Sequence, residues 1–261
     1  MTRPDRAEIA TRLRAAGCVF AEDEARLLDE AAGDTETLLD LVERRIAGEP
    51  LEPLLGWVEF AGIRLRVGPG VFVPRQRTTV LAAEAAALAA AQPAPVVVDL
   101  CCGVAAIAAV VGASGAAHRL VAADLDPVAV AFAAQNLAAY GGETYVGDLY
   151  DALPREVAGT IDVLAVNAPY VPSAEISGMP REARDHEPRH TLDGGSDGLD
   201  LHRRVAASSR EWLAPGGHVL IESSSGQAEG TAGLLRAAGL ETRVVTDDEL
   251  GATVVIGRAA R

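Results

Sequence analysis

Apolar positions recur at helical spacing through the first fifty residues. AEIATRLRAAG stops at Gly17, EDEARLLDEAAG repeats the pattern and stops at Gly33, and DTETLLDLVERRIAGEP begins on Asp34. A carboxylate at that point can accept a free backbone N–H of the first turn. Acidic residues early and arginines late also suit the helix dipole. The spacing predicts three or more short amphipathic helices, a small bundle over residues 1–56.

The rhythm then changes. WVEFAGIRLRVGPGVFV alternates apolar and polar residues between glycines, which predicts a β-hairpin linker over residues 57–75. From residue 76 onward helices and strands alternate. TTVLAAEAAALAAAQ is a helix, PVVVDL a short β-branched strand, and an Ala-rich helix leads to the strand RLVAAD. The helix PVAVAFAAQNLAAY and the strands ETYVGD and IDVLAVN follow. GGHVLIES and ATVVIG read as later strands, with the helix GTAGLLRAAG before the second. Continuous apolar runs suit strands buried on both faces. The alternation predicts an α/β domain over 76–261, a mostly parallel sheet with helices on both faces. Residues 173–200, rich in charge, Pro and Gly, form one long irregular insertion.

In an open parallel sheet, ligands bind beyond the carboxyl ends of the strands. Four such ends carry Asp99, Asp124, Asp148 and Asn167, the last within VNAPYVP. Asp124 lies about 20 residues beyond the first turn, where a carboxylate can accept both hydroxyls of a ribose; capping of the next helix is the other reading. The first turn, DLCCGVAAIA, holds one glycine, Gly103, and lacks the G-x-G-x-x-G that brings backbone against a pyrophosphate. A nucleoside without phosphates fits it better than a dinucleotide.

Composition narrows the partners. The formal net charge is −14 and all 23 basic residues are arginine, so the balance argues against nucleic acid as the main partner. Three cysteines, Cys18 and the adjacent Cys101 and Cys102, build no disulfide framework. The chain shows no apolar leader and no span long enough for a membrane, which predicts a soluble, reduced, cytoplasmic protein. His186 and His190 stand four apart without an acidic partner at metal-protease spacing, so no metal is expected.

With these residues in view, DLCCGVAAIA, AADLDP, GDLYDAL and VNAPYVP together resemble the Rossmann-like S-adenosylmethionine-dependent methyltransferases. More narrowly, the chain resembles the HemK/PrmC family of protein-(glutamine-N5) methyltransferases. The likeness runs nearly end to end, through GEPLEPLLGWVEF, VPRQRT, DHEP, HVLIE and the final IGR. It implies a seven-stranded methyltransferase sheet, S-adenosylmethionine as cofactor with S-adenosylhomocysteine as product, and a peptide release factor or a similar glutamine-bearing protein as substrate. The bundle would recognise that substrate. Asp99, Cys101, Cys102, Gly103, Val104, Ala105, Asp124, Asp148, Leu149 and Asn167 would surround the cofactor. Asn167, Ala168, Pro169 and Tyr170 would hold the substrate amide: the Asn167 side-chain oxygen and the Ala168 main-chain carbonyl accept its two N–H groups, and Tyr170 walls its plane. Of these, Asn167, Pro169 and Tyr170 form the catalytic set. DHEP is expected to shape the loop covering the substrate.

Two departures matter. The family's Asn-Pro-Pro-Tyr reads Asn167-Ala168-Pro169-Tyr170 here, which spares the accepting carbonyl; Pro169 still biases its predecessor toward extended backbone. The family turn Asp-x-Gly-x-Gly-x-Gly reads Asp99, Cys101, Gly103, Ala105. The added β-carbons are expected to narrow the methionine end of the cofactor pocket, and Leu149 replaces an aromatic found beside the adenine in some relatives. The alternatives are a DNA adenine N6-methyltransferase, since such a turn can hold an exocyclic amine, and a fold-preserving binding protein whose cofactor site has degenerated.

Overall fold

The computed structural model describes residues 3–261. Helices α1 (Arg6–Ala15), α2 (Ala21–Ala31), α3 (Thr35–Ile46) and α4 (Leu51–Leu55) close around Ile9, Leu13, Leu28, Leu38 and Val42, a core of their own. Asp34 caps α3 by accepting from the Thr37 N–H at 2.8 Å, and Asp5 does the same for α1 with Glu8.

Strands β1 (Trp57–Phe60) and β2 (Ile63–Arg66) pair as the expected hairpin. It packs onto the sheet domain: Phe60, Leu65, Val71 and Val73 share a core with the helices that follow. Side-chain hydrogen bonds hold it there, Gln76 donating to the Glu59 carbonyl at 2.9 Å. Asn136 accepts from the Arg66 N–H at 2.7 Å and donates to the Arg66 and Val104 carbonyls at 3.0 and 2.8 Å.

The remaining elements are α5 (Thr78–Ala90), β3 (Val96–Leu100), α6 (Ala106–Ala113), β4 (Arg119–Asp124), α7 (Pro127–Leu137), β5 (Glu143–Val146) and β6 (Ile161–Val166). After these come α8 (Arg181–His186), α9 (Asp200–Trp212), β7 (Leu213–Glu222), α10 (Ala228–Ala237), β8 (Glu241–Asp247) and β9 (Ala252–Arg258). The seven-stranded sheet runs β5-β4-β3-β6-β7-β9-β8, and only β9 runs against its neighbours. Successive strand residues point to opposite faces. Val97, Ala122, Val163 and Leu220 therefore meet α5, α6 and α7, while Val98, Val121, Leu164 and Val219 meet α9 and α10. The α/β sheet with helices on both faces is as expected.

Two elements lie outside the sequence pattern described above. The stripe that buries α9 includes His202 and Ser209 among Val205, Ala206 and Trp212, so polar letters disguise an inward face. β8 is an edge strand, ETRVVTD, mostly solvated on both sides, and lacks the apolar run of a buried strand. The insertion after β6 holds α8 and is stitched back by a parallel bridge between Val171 and Asp193. No helix among the described residues is long and apolar enough to cross a membrane.

Candidate active site

The chain leaves β3 outward to β4 and β5, then returns to lay β6 on the other side of β3. That reversal opens a crevice at the carboxyl ends of β3 and β6, the place where open α/β sheets bind ligands. A cavity lies there. Its walls include Cys101, Cys102, Gly103 and Val104 after β3, Asp124 at the end of β4, Asp148 and Leu149 after β5, and Asn167, Ala168, Pro169 and Tyr170 after β6.

The first turn keeps an unusual backbone despite its missing glycines. Cys101, Gly103 and Ala105 all have positive φ, at 54°, 53° and 62°. An L-residue there crowds its β-carbon against the backbone, at about 1–2 kcal/mol, so the shape of this turn is imposed by what surrounds it. Asp124 is part of that constraint. Its Oδ2 accepts from the Gly103 N–H at 2.8 Å and its Oδ1 from the Asp126 N–H at 2.9 Å, while burial pushes its pKa up. Each carboxylate oxygen retains a further lone pair. The cap of α7 is Asp126, which accepts from the Val128 N–H, so the capping alternative for Asp124 does not apply.

Asp99 and Ala105 do not line the cavity. Asp99 is fully buried beneath the turn, where Oδ2 accepts from the Ala108 N–H at 3.0 Å and ties β3 to α6. Burial, with the nearby Asp124 charge, pushes its pKa up to about 8. The β-carbon of Ala105 likewise packs into the core rather than into the crevice, so of the two residues that replace glycines only Cys101 lines the pocket. Burial raises both the Cys101 and Cys102 thiols, which keeps them protonated and poor as nucleophiles.

At the far wall Asp148 accepts from Arg204 Nη2 at 2.8 Å. Leu149, buried, holds a positive φ of 50°. Arg204 and Leu201 reach the cavity from α9, whose polar-lettered inward face hides it in the sequence pattern. His190 joins the rim from the insertion, with Nε2 3.8 Å from Asp126, whereas His186 ends α8 beside the bundle, near Gly48.

The turn after β6 is held from two sides. Asn167 Nδ2 donates to Thr78 Oγ1 at 3.3 Å, and Tyr170 donates its hydroxyl to Glu222 Oε1 at 3.2 Å. Burial and the Glu222 charge push the tyrosine up to about 12, so it stays a donor. Glu222, at the end of β7, joins Asp124, Asp148 and Asn167 as a fourth strand-end residue in the cavity; Arg77 and Thr78 enter from the start of α5. HVLIES runs straight through Glu222 as a strand, so only the pairing of β6 with β7 reveals it.

A family model described as Methyltransferase small domain matches residues 63–180. A release factor glutamine methyltransferase of Geobacter sulfurreducens is 35% identical over 219 residues, covering 83% of this chain and 75% of that protein. The chain belongs to the release factor glutamine methyltransferase family. A further relative in this family's range, from Streptomyces pristinaespiralis, is 34% identical over 80% of this chain and 76% of its own length. It is named a 4-amino-L-phenylalanine/4-methylamino-L-phenylalanine methyltransferase. Among solved structures, a methyltransferase from Pyrococcus furiosus shares the fold, with a TM-score of 0.57 at 13% identity over 77% of this chain and 91% of that one.

The family's cofactor is S-adenosylmethionine, and the residues present fit it. The first turn keeps its left-handed cradle; a β-carbon built on Gly103 meets nothing within 4 Å, so that backbone faces open space. Three carboxylate and amide side chains, Asp124, Asp148 and Asn167, edge one cavity and no phosphate-binding glycine motif interrupts them. This donor set suits hydroxyls and amines.

Proposed function

We propose that this chain methylates the side-chain amide nitrogen of a glutamine in a peptide release factor, in the cytoplasm, with the N-terminal bundle helping to recognise that protein. One observation carries the reading. The Asn167 NH₂ is bonded to Thr78, so its Oδ1 is left to accept an N–H inside the cavity, next to the Ala168 carbonyl.

S-adenosylmethionine, when bound, supplies an electrophilic methyl. Gly103 and Cys101 would hold its amino-acid part, Asp124 its ribose, and Asp148 with Leu149 its adenine. The rest falls to the protein. An amide nitrogen is a weak nucleophile because its lone pair is delocalised into the carbonyl, so positioning dominates. Oδ1 of Asn167 and the carbonyl of Ala168 accept the two N–H groups and fix the nitrogen's orientation. Tyr170, anchored on Glu222, walls the amide plane. Ala168 keeps the needed carbonyl, since the acceptor belongs to the main chain. Pro169 keeps that residue extended.

The test is methyl transfer from labelled cofactor to release factor, with the modified glutamine located by mass spectrometry. DNA and 4-amino-L-phenylalanine serve as competing acceptors. Transfer to release factor, lost in Asn167→Ala with cofactor affinity retained by calorimetry, is the expected result. Label on DNA alone, or no cofactor binding, would overturn the reading in favour of an adenine methyltransferase or a binding protein.

A further inference from the structure

Val166 and Ile221 are register partners on the parallel strands β6 and β7. The next residues along, Asn167 and Glu222, therefore stand side by side at the strand ends, one strand spacing of about 4.8 Å apart. Both line the cavity. Glu222 is 1% exposed, and its two oxygens are used unequally. Oε1 accepts from the Tyr170 hydroxyl and, at 3.4 Å, from Arg77 Nε, whereas Oε2 is buried with no partner. A buried carboxylate oxygen left unpaired is unfavourable unless something else meets it.

The reaction produces something that can. A neutral nitrogen that gains a methyl group becomes cationic and must then lose a proton to an acceptor within reach. The Asn167 oxygen and the Ala168 carbonyl can hold an N–H but are too weakly basic to remove its proton. A carboxylate is not.

We propose that Glu222 takes the proton shed by the substrate nitrogen, through Oε2; this rests on the reading of Asn167 to Tyr170 as the clamp for that nitrogen. The balance closes. The nitrogen lone pair forms the bond to the methyl carbon as the carbon–sulfur bond breaks and its electron pair stays on sulfur. The N–H proton held by Asn167 Oδ1 then leaves that acceptor for Oε2 of the neighbouring Glu222, leaving a neutral N-methyl amide and a neutral carboxylic acid that later releases its proton to solvent. The titratable and charged groups facing Glu222 are Arg77 from α5 and Tyr170 from the turn after β6; on β9 its register partner is the apolar Val254.

The experiment compares single-turnover methyl transfer across pH for wild type, Glu222→Gln and Glu222→Asp. Acceptor affinity is measured in parallel by calorimetry on the protein loaded with S-adenosylhomocysteine. A carboxamide at 222 still accepts from Tyr170, so a merely structural Glu222 predicts a Glu222→Gln rate near wild type. The expected result is a loss of about 100-fold or more, with acceptor and cofactor affinities within threefold. The fall in wild-type rate at low pH should disappear in Glu222→Gln and persist in Glu222→Asp. Wild-type transfer to release factor with Glu222→Gln within threefold sinks this inference alone. Transfer only to 4-amino-L-phenylalanine sinks the release factor reading, and Glu222→Gln is then judged on that acceptor by the same criteria. No transfer to either acceptor sinks both.

Discussion

Thr78 Oγ1 lies 3.3 Å from Asn167 Nδ2, across 89 positions of sequence, and both residues face the same cavity. The contact takes up the NH₂ end of the amide and leaves the oxygen end to substrate. An NH₂ can only donate; once it is spent on the threonine, the oxygen points to the acceptor site. Thr78→Val, nearly isosteric at a buried position, removes the bond without changing the packing. We expect kcat to fall about tenfold, roughly 1.4 kcal/mol of lost orientation, with cofactor affinity unchanged. Thr78→Ser should recover most of it. Equal rates for Val and Thr at 78 would show that the orientation of Asn167 is set by something else.

The left-handed turn after β3 yields a stability prediction. Ala105 is fully buried with φ 62° and stands where a glycine would be unstrained. Ala105→Gly should raise stability by about 1 kcal/mol, the left-handed penalty relieved less the added freedom of the unfolded chain. For a chain of this size that is roughly 2–4 °C in melting temperature. Calorimetric melting of the two proteins checks it, and a lower midpoint for the variant would mean that the methyl packs for more than it strains.

That turn also shows what could and could not be read from sequence. PVVVDL, RLVAAD and IDVLAV are buried on both faces, so their apolar runs announced strands, and Asp124 and Asn167 at the ends of the last two marked the crevice. Local letters could not give the backbone of Cys101 and Ala105. Cysteine and alanine do not ask for positive φ, and the core around them supplies it. Thr78, Arg77 and Glu222 were illegible for a different reason. They reach the site through the docking of α5 and the pairing of β6 with β7, at separations of 89 and 145 positions for the two bonds concerned. The expected narrowing by two β-carbons reduces to one, because Ala105 points into the core.

Asp99 predicts how stability varies with pH. Its folded pKa is raised to about 8 from 3.8, chiefly by burial. Below about pH 4 the carboxyl is neutral in both states and carries no penalty. As pH rises from about 4 to about 8 the unfolded chain ionises first, so the unfolded state gains and stability falls by several kcal/mol. Asp99→Asn stays neutral throughout and can keep an acceptor for the Ala108 N–H. Its melting midpoint should match wild type near pH 4 and exceed it by several degrees at pH 8. A constant offset at both pH values would assign the difference to packing and remove Asp99 as its source.

Glu187, from DHEP, fastens the insertion to the hairpin side of the molecule. Its Oε1 accepts from Arg75 Nη2 at 2.6 Å and from the Val73 N–H at 3.3 Å, and the carboxyl is buried. Six residues earlier in the chain, α8 begins, and its Glu182 pairs with Arg45 of the bundle at 2.6 Å. The insertion that carries His190 and Leu192 to the cavity is therefore pinned at both the bundle and the hairpin. Glu187→Ala strips the partner from a half-buried guanidinium and a backbone N–H, and we expect a loss of about 2 kcal/mol. Faster proteolytic cutting within residues 173–200 and a raised KM for the protein substrate should accompany it. A double-mutant cycle with Arg75→Ala isolates the cause. If the guanidinium left without its partner dominates, the double variant is no less stable than Glu187→Ala alone; if the two losses add, each residue holds the insertion separately and the proposed fastening fails.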